Sequence, residues 1–166
     1  MVEIFDNRIE ITNPGLPLVS TERFLDTPPK SRNETLASLM RRFGICEERG
    51  SGIDKVVSQT ELYQLPAPIF EAIEDHTRVV LLAHRGLKDM DKQDRIGACY
   101  LHACLRYVER DYMTNSTLRE RFGIEPKNSA MVSPIIRDTM HAGKLLISTP
   151  KGPFRPHPNG PTKTAP

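Results

Sequence analysis

With 166 residues, 38% hydrophobic and 27% charged, the chain is long enough for one ordinary domain or two small ones, and its composition excludes a disordered or fibrous protein. No apolar run approaches the roughly 20 residues of a membrane span, and the opening MVEIFDNRIEI lacks the basic-then-apolar layout of a secretory signal; both predict a cytoplasmic protein with no membrane partner. The net charge of +2 hides a division, because 10 Lys and Arg face 13 Asp and Glu in residues 1–87 whereas 13 face 8 in residues 88–166, so an anionic partner is expected at the later half.

Taken in chain order, VEIFDNRIEITN alternates apolar Ile9 and Ile11 with polar neighbours, which predicts a hairpin turning at Asn7-Arg8. The Pro-, Ser- and Thr-rich PGLPLVSTERFLDTPPKSR reads as a long irregular loop. Asn33 then caps ETLASLMRRFG, in which Leu36, Leu39, Met40 and Phe43 fall on one helical face before Gly44 at the C′ position. After Gly50-Ser51-Gly52, Ile53, Val56, Val57 and Thr60 repeat that spacing to about Leu62, where LPAP stops the helix. IFEAIEDHTRVVLLAH offers two strands around a polar turn. Residues 88–92, within the charged RGLKDMDKQD, are expected to be a linker.

From Arg95 the pattern is helical again, with Ile96, Cys99, Tyr100, Ala103 and Tyr107 on one face, followed by the extended DYMTN. Asn115 is the expected cap of STLRERFG, with Leu118 and Phe122 inward and Gly123 ending it. Val132, Ile135, Ile136, Thr139 and Met140 outline a further helix closed by Gly143, and the strand KLLIS precedes a Pro-rich basic tail at 151–166 that is expected to be disordered. Cys46, Cys99 and Cys104 lack C-x-x-C spacing, so reduced thiols are expected and no metal site. Cys99 and His102 stand one helical turn apart but have no second ligand pair.

This order of helix, short strand, helix, turn, helix, strand and basic loop is that of a winged helix-turn-helix, expected at residues 93–150. If Val132, Ile135, Ile136 and Met140 face a core, Ser129, Ser133, Arg137 and His141 project toward double-stranded DNA, and Lys144, Lys151 and Arg155 follow on the strand and wing. A protein-interaction or dimerisation module is the alternative reading of the same shape. Pro134 is compatible with a helix that has Ser133 as N-cap and Pro134 at its first position, which leaves Ser129 outside it.

Three motifs in order, VEIFDNRIEITNPG, RNETLASLMRRFGICEERGSGIDKVV and LPAPIFE with a closing strand, resemble the C-terminal half of the histidine-kinase-like (GHKL, Bergerat-fold) ATP-binding domain. The resemblance is to members in bacterial and archaeal transcriptional regulators, many described as RecG-like ATP-dependent DNA helicases. It covers about residues 2–84, and the later ACYLHACLRYV, MTNSTLRERFGIEPKNSA and IIRDTMHAGKL are similar to the winged helix that follows this domain in one branch. The fold class implied is α+β, a partial Bergerat-type domain at residues 1–87 plus a small winged helix-turn-helix. Carried over, the nucleotide loop falls on Asn13 and Gly15 and the phosphate-side glycine box on Gly50, Ser51 and Gly52, where free helix-terminal amides favour a phosphate. Asn13 stands where the wider ATPase group has an Asp, and the helix bearing its Mg²⁺ ligand would precede the first strand. ATP and Mg are therefore expected only in a complete domain and neither for this chain alone, with no catalytic residue. The expectation is a DNA-binding transcriptional regulator, truncated and not an enzyme, whose further partners are a homodimer mate or an N-terminal half; a non-functional truncated product is a further alternative.

Overall fold

The computed structural model describes residues 1–46, 51–148 and 153–157. Val2–Phe5 (β1) and Arg8–Pro14 (β2) form an antiparallel hairpin in register Phe5↔Arg8, so the connection is Asp6-Asn7, one residue earlier than the expected turn. The Arg8 guanidinium lies 3.9 Å over the Phe5 ring across that turn. Ile69–Ile73 (β3) and His76–Leu82 (β4) make the second hairpin, and the four strands join in the order β1-β2-β4-β3. Its neighbours are antiparallel throughout.

Two helices sit between the hairpins. Glu34–Arg42 (α1) begins where expected: the Asn33 side chain accepts from the Leu36 N–H at 2.9 Å, and Gly44 at φ +67° ends the helix. Its apolar stripe is not a core, however, because Leu36, Leu39 and Phe43 are exposed and α1 has no buried residue. Gly52–Leu62 (α2) buries Val57 and Thr60.

Lys92–Val108 (α3) starts earlier than the periodicity suggested, fixed by a reciprocal capping box between Asp91 and Asp94. It buries Ile96, Ala98, Cys99, Tyr100, His102, Ala103, Cys104 and Leu105, nearly its whole circumference in the middle, while Tyr107 is exposed. The stretch expected to be a linker is fastened here: Met90 is buried in the same core as Cys99 and Ala103, and Arg95 donates to the Leu87 carbonyl at 3.0 Å.

Asn115–Arg121 (α4) is capped by Thr114, not Asn115. Thr114 accepts from the Thr117 N–H while the Thr117 hydroxyl accepts from the Thr114 N–H, a geometry that needs the extended φ/ψ found at Thr114. After a 3-10 turn at Pro126–Met131, Val132–His141 (α5) buries Val132, Ile135, Ile136 and Thr139. Pro134 is its third residue, in the first turn where a missing N–H leaves no intrahelical bond unmade.

Leu145–Ile147 (β5) pairs antiparallel with Phe154–Pro156 (β6). The expectation of a disordered tail from residue 151 is corrected at residues 153–157. The Phe154 N–H donates to the Met113 carbonyl at 2.8 Å and Phe154 rests against the core, which gives this Pro-rich segment backbone and apolar partners. Residues 149–152 and 158–166 of that tail lie outside the described residues.

The core is asymmetric. Met113, Leu118, Val132 and Cys99 are each 0% exposed, and with Phe122, Ile135, Ile136 and Leu145 they form one cluster built mainly from α3, α4, α5, β5 and the short segments that join them. Ala67, just before β3, is the contribution of the first half to it. Polar contacts then tie the halves together: His102 Nδ1 lies 2.9 Å from Glu61 Oε2, Arg121 donates to the Leu65 carbonyl at 2.6 Å, and the Tyr100 hydroxyl donates to the Glu22 carbonyl at 3.1 Å.

Candidate functional site

The residues expected to bind DNA separate into two groups. Ser133, Arg137 and His141 recur every four positions along α5 and are all exposed, opposite the buried Val132, Ile135, Ile136 and Thr139. This is one outward stripe with a hydroxyl, a guanidinium and an imidazole. The Asn115 side chain donates to the Ser133 hydroxyl at 3.4 Å, so the first turn of α4 borders the head of that stripe. Asp138, next to Arg137 in the chain, is ion-paired with Lys92 of α3 at 3.3 Å. Ser129 is exposed in the 3-10 turn and so precedes the helix. Arg155 is exposed on β6, opposite Leu146 of β5.

Lys144 departs from that group. Its ammonium lies 5.2 Å from the centre of the Tyr100 ring on α3 and borders a cavity between the two halves of the chain. Lys151 lies outside the described residues. Lys92, which sequence reasoning did not select, is the cation that neutralises the flank of α5; its place at the first turn of α3 carried no signal of that role.

The residues expected at a nucleotide are less well gathered. Asn13 is exposed on β2 opposite Thr77. Gly15 follows it at φ +95°, a left-handed backbone that suits only glycine. Its N–H is already given to the Asp75 carbonyl and its carbonyl accepts from the Thr77 hydroxyl at 2.7 Å. Its N–H is therefore not free for a ligand, while its carbonyl keeps one lone pair. Ser51 and Gly52 stand at the start of α2, and a Cβ on Gly52 would meet nothing within 4 Å, so the backbone there is open to approach. Asp54 in the same turn opposes an anion, and burial raises its carboxyl pKa. Lys30, Arg32 and Ile53 border a cavity beside that turn. Gly50 lies outside the described residues.

An ATP–Mg group does not fit the described residues as they stand. The phosphate end has open backbone and nearby cations, but the Gly15 N–H is already given to Asp75. Among the described residues no group of three His, Cys, Asp or Glu side chains is placed to hold a metal. Burial pushes the thiols of Cys99 and Cys104 up to about 12, so both stay protonated and are poor metal ligands or nucleophiles at neutral pH. Among the described residues no helix is long and apolar enough to cross a membrane.

Residues 1–81 match the family described as "Putative ATP-dependent DNA helicase recG C-terminal". The match spans just under half of the chain and supports an ATPase-like domain fragment there, in agreement with the α+β architecture around β1–β4. No curated protein and no solved structure matches the chain.

Proposed function

We propose that the chain is a cytoplasmic DNA-binding transcriptional regulator in which residues 92–157 form a winged helix-turn-helix. In this reading α4 and α5 are the helix pair, α5 lies in the major groove and the β5–β6 hairpin is the wing. The observation that carries it is the outward stripe Ser133, Arg137 and His141 on α5, standing clear of a helix face that is otherwise buried. Arg137 can donate two bonds to a guanine edge or one to phosphate, and Arg155 on the hairpin meets the backbone. The bridge between Met113 and Phe154 supports the wing, since it places the strand after α3 beside the returning strand β6. Residues 1–81 act as a partial Bergerat-type domain that does not turn over ATP.

A second reading, a protein-interaction module, draws on α1, whose Leu36, Leu39 and Phe43 are exposed on one face. The two readings separate in a fluorescence anisotropy titration of a labelled duplex. DNA binding in which Arg137 and Arg155 each neutralise one phosphate predicts an affinity loss of about tenfold between roughly 50 and 200 mM salt, unaffected by Mg-ATP and with binding weakened by Arg137→Ala and Arg155→Ala. An absence of binding at low salt, with a mass that rises with protein concentration, would favour the interaction module.

A further inference from the structure

A cavity of about 330 Å³ opens where the loop after β2, the start of β3 and the middle of α3 meet. Phe24, Leu25, Ile69, Phe70 and Leu101 supply its apolar lining, and the Phe24 and Phe70 rings brace one another edge to face with centroids 5.5 Å apart. Two residues of opposite charge, Lys144 and Glu22, share its border near Tyr100. Lys144 Nζ lies 5.2 Å from the Tyr100 centroid, and Glu22, whose carbonyl accepts from the Tyr100 hydroxyl, borders the same cavity. Asp94 also lines it, but Arg85 holds that carboxylate at 3.2 Å and the Asp91 N–H donates to it. Among the described residues neither Lys144 nor Glu22 has an ion-pair partner.

We infer that this cavity binds a small apolar α-amino acid, its carboxylate on Lys144, its ammonium on Glu22 and its side chain among Phe24, Leu25, Ile69, Phe70 and Leu101. The charge count selects the ligand class. One cation is too few for a polyphosphate, and a cation and an anion on one border, neither in an ion pair among the described residues, favour a zwitterion over a simple acid or amine. The volume stands at the small end of ligand pockets, which suits a molecule smaller than a nucleotide. Lys144 also occupies the joint between α5 and the hairpin: its N–H donates to the Thr139 carbonyl at 3.2 Å and its carbonyl accepts from the His157 N–H at 2.9 Å. The site thus touches the element that carries the outward stripe, although binding itself does not depend on the DNA-binding reading.

The test is isothermal titration of the purified full chain with L-leucine and L-phenylalanine. The comparison ligands are 4-methylpentanoate and 3-phenylpropionate, which lack the ammonium, and isopentylamine and phenethylamine, which lack the carboxylate. At least one amino acid binds, and its two truncated analogues bind about tenfold more weakly or worse, the expected loss when a charged hydrogen-bonding partner is removed. Lys144→Met and Glu22→Gln each weaken the amino acid by a similar factor, and Ile69→Trp, placed on an exposed strand position, blocks the cavity while leaving the thermal midpoint unchanged. No heat from either amino acid up to about 5 mM overturns the inference. So does an analogue that binds as well as the amino acid, or a Lys144→Met protein that keeps its midpoint and the parental affinity. Should a variant fail to fold, the analogue comparison on the parent chain decides alone.

Discussion

Residues 2–82 and residues 92–157 carry equally clear amphipathic patterns, yet the two regions use them differently. In the second region the apolar stripes of α3, α4 and α5 converge, so that Leu118, Met113 and Val132 are fully buried. In the first, the stripe of α1 and much of the outer sheet, including Ile4, Ile9 and Ile73, face outward. A periodic pattern therefore states which face of an element is sticky, but not what that face meets. Stability is expected to reside in the second region, and the first is held to it through α2, Ala67 and a few polar contacts.

The sharpest way to break this contrast is a matched pair of truncations. Leu118→Ala, inside the core, should cost about 2–5 kcal/mol, whereas Leu36→Ala on α1 should stay within about 0.5 kcal/mol; urea unfolding of both proteins measures the difference. Equal costs would mean that α1 is covered in solution. A smaller effect is expected at the seam. Arg121 is 5% exposed and donates to the Leu65 carbonyl, and its guanidinium stands 3.9 Å from Glu61. Burial lowers its pKa, so its charge is tolerated rather than favoured there. Arg121→Ala should cost about 1–3 kcal/mol by leaving that carbonyl unpaired, and Arg121→Met less, since its stem fills the same space.

The helix caps sharpen the comparison further. Thr114→Ala and Asn33→Ala each remove a side chain that accepts a helix N–H, a local loss of about 1 kcal/mol. Thr114→Ala should lower global stability by that amount, because α4 is part of the core. Asn33→Ala should instead fray α1, visible as faster amide exchange with little change in the unfolding midpoint. The mildest probe is chemical. Cys46 is exposed whereas Cys99 and Cys104 are buried, with thiols pushed up to about 12 by that burial. Iodoacetamide at neutral pH should label Cys46 alone in the native protein. Labelling of Cys99 or Cys104 then reports opening of the second region.

Much of this was legible in the residues. The caps and stops at Asn33, Gly44, Gly123 and Gly143 have local signatures, and the helices and strands they bound are where the spacing places them. The outward stripe of α5 followed from the same periodicity. What the residues did not reveal depends on contacts made across the fold. Thr114 takes the cap that Asn115 was expected to hold, because the chain enters α4 extended at Thr114. Strand β6 is hidden by Pro153 and Pro156, and it forms because Phe154 finds Met113 and the core. Lys144 was expected as a DNA contact on the strand before the wing, and the residues gave no sign that the turn after α5 sets its ammonium beside Tyr100. Gly15 resembles a nucleotide-loop residue, but nothing in its local pattern signals that its N–H is taken by the Asp75 carbonyl in the turn between β3 and β4.

The central claim is that the second region meets DNA through α5 and the hairpin while the first region stands apart from it. Hydrogen–deuterium exchange of the chain with and without a saturating duplex tests that directly. The account predicts added protection confined to residues near 132–141 and 154–156, with residues 34–42 unchanged. Protection appearing in residues 34–42, or absent from 132–141, would contradict it.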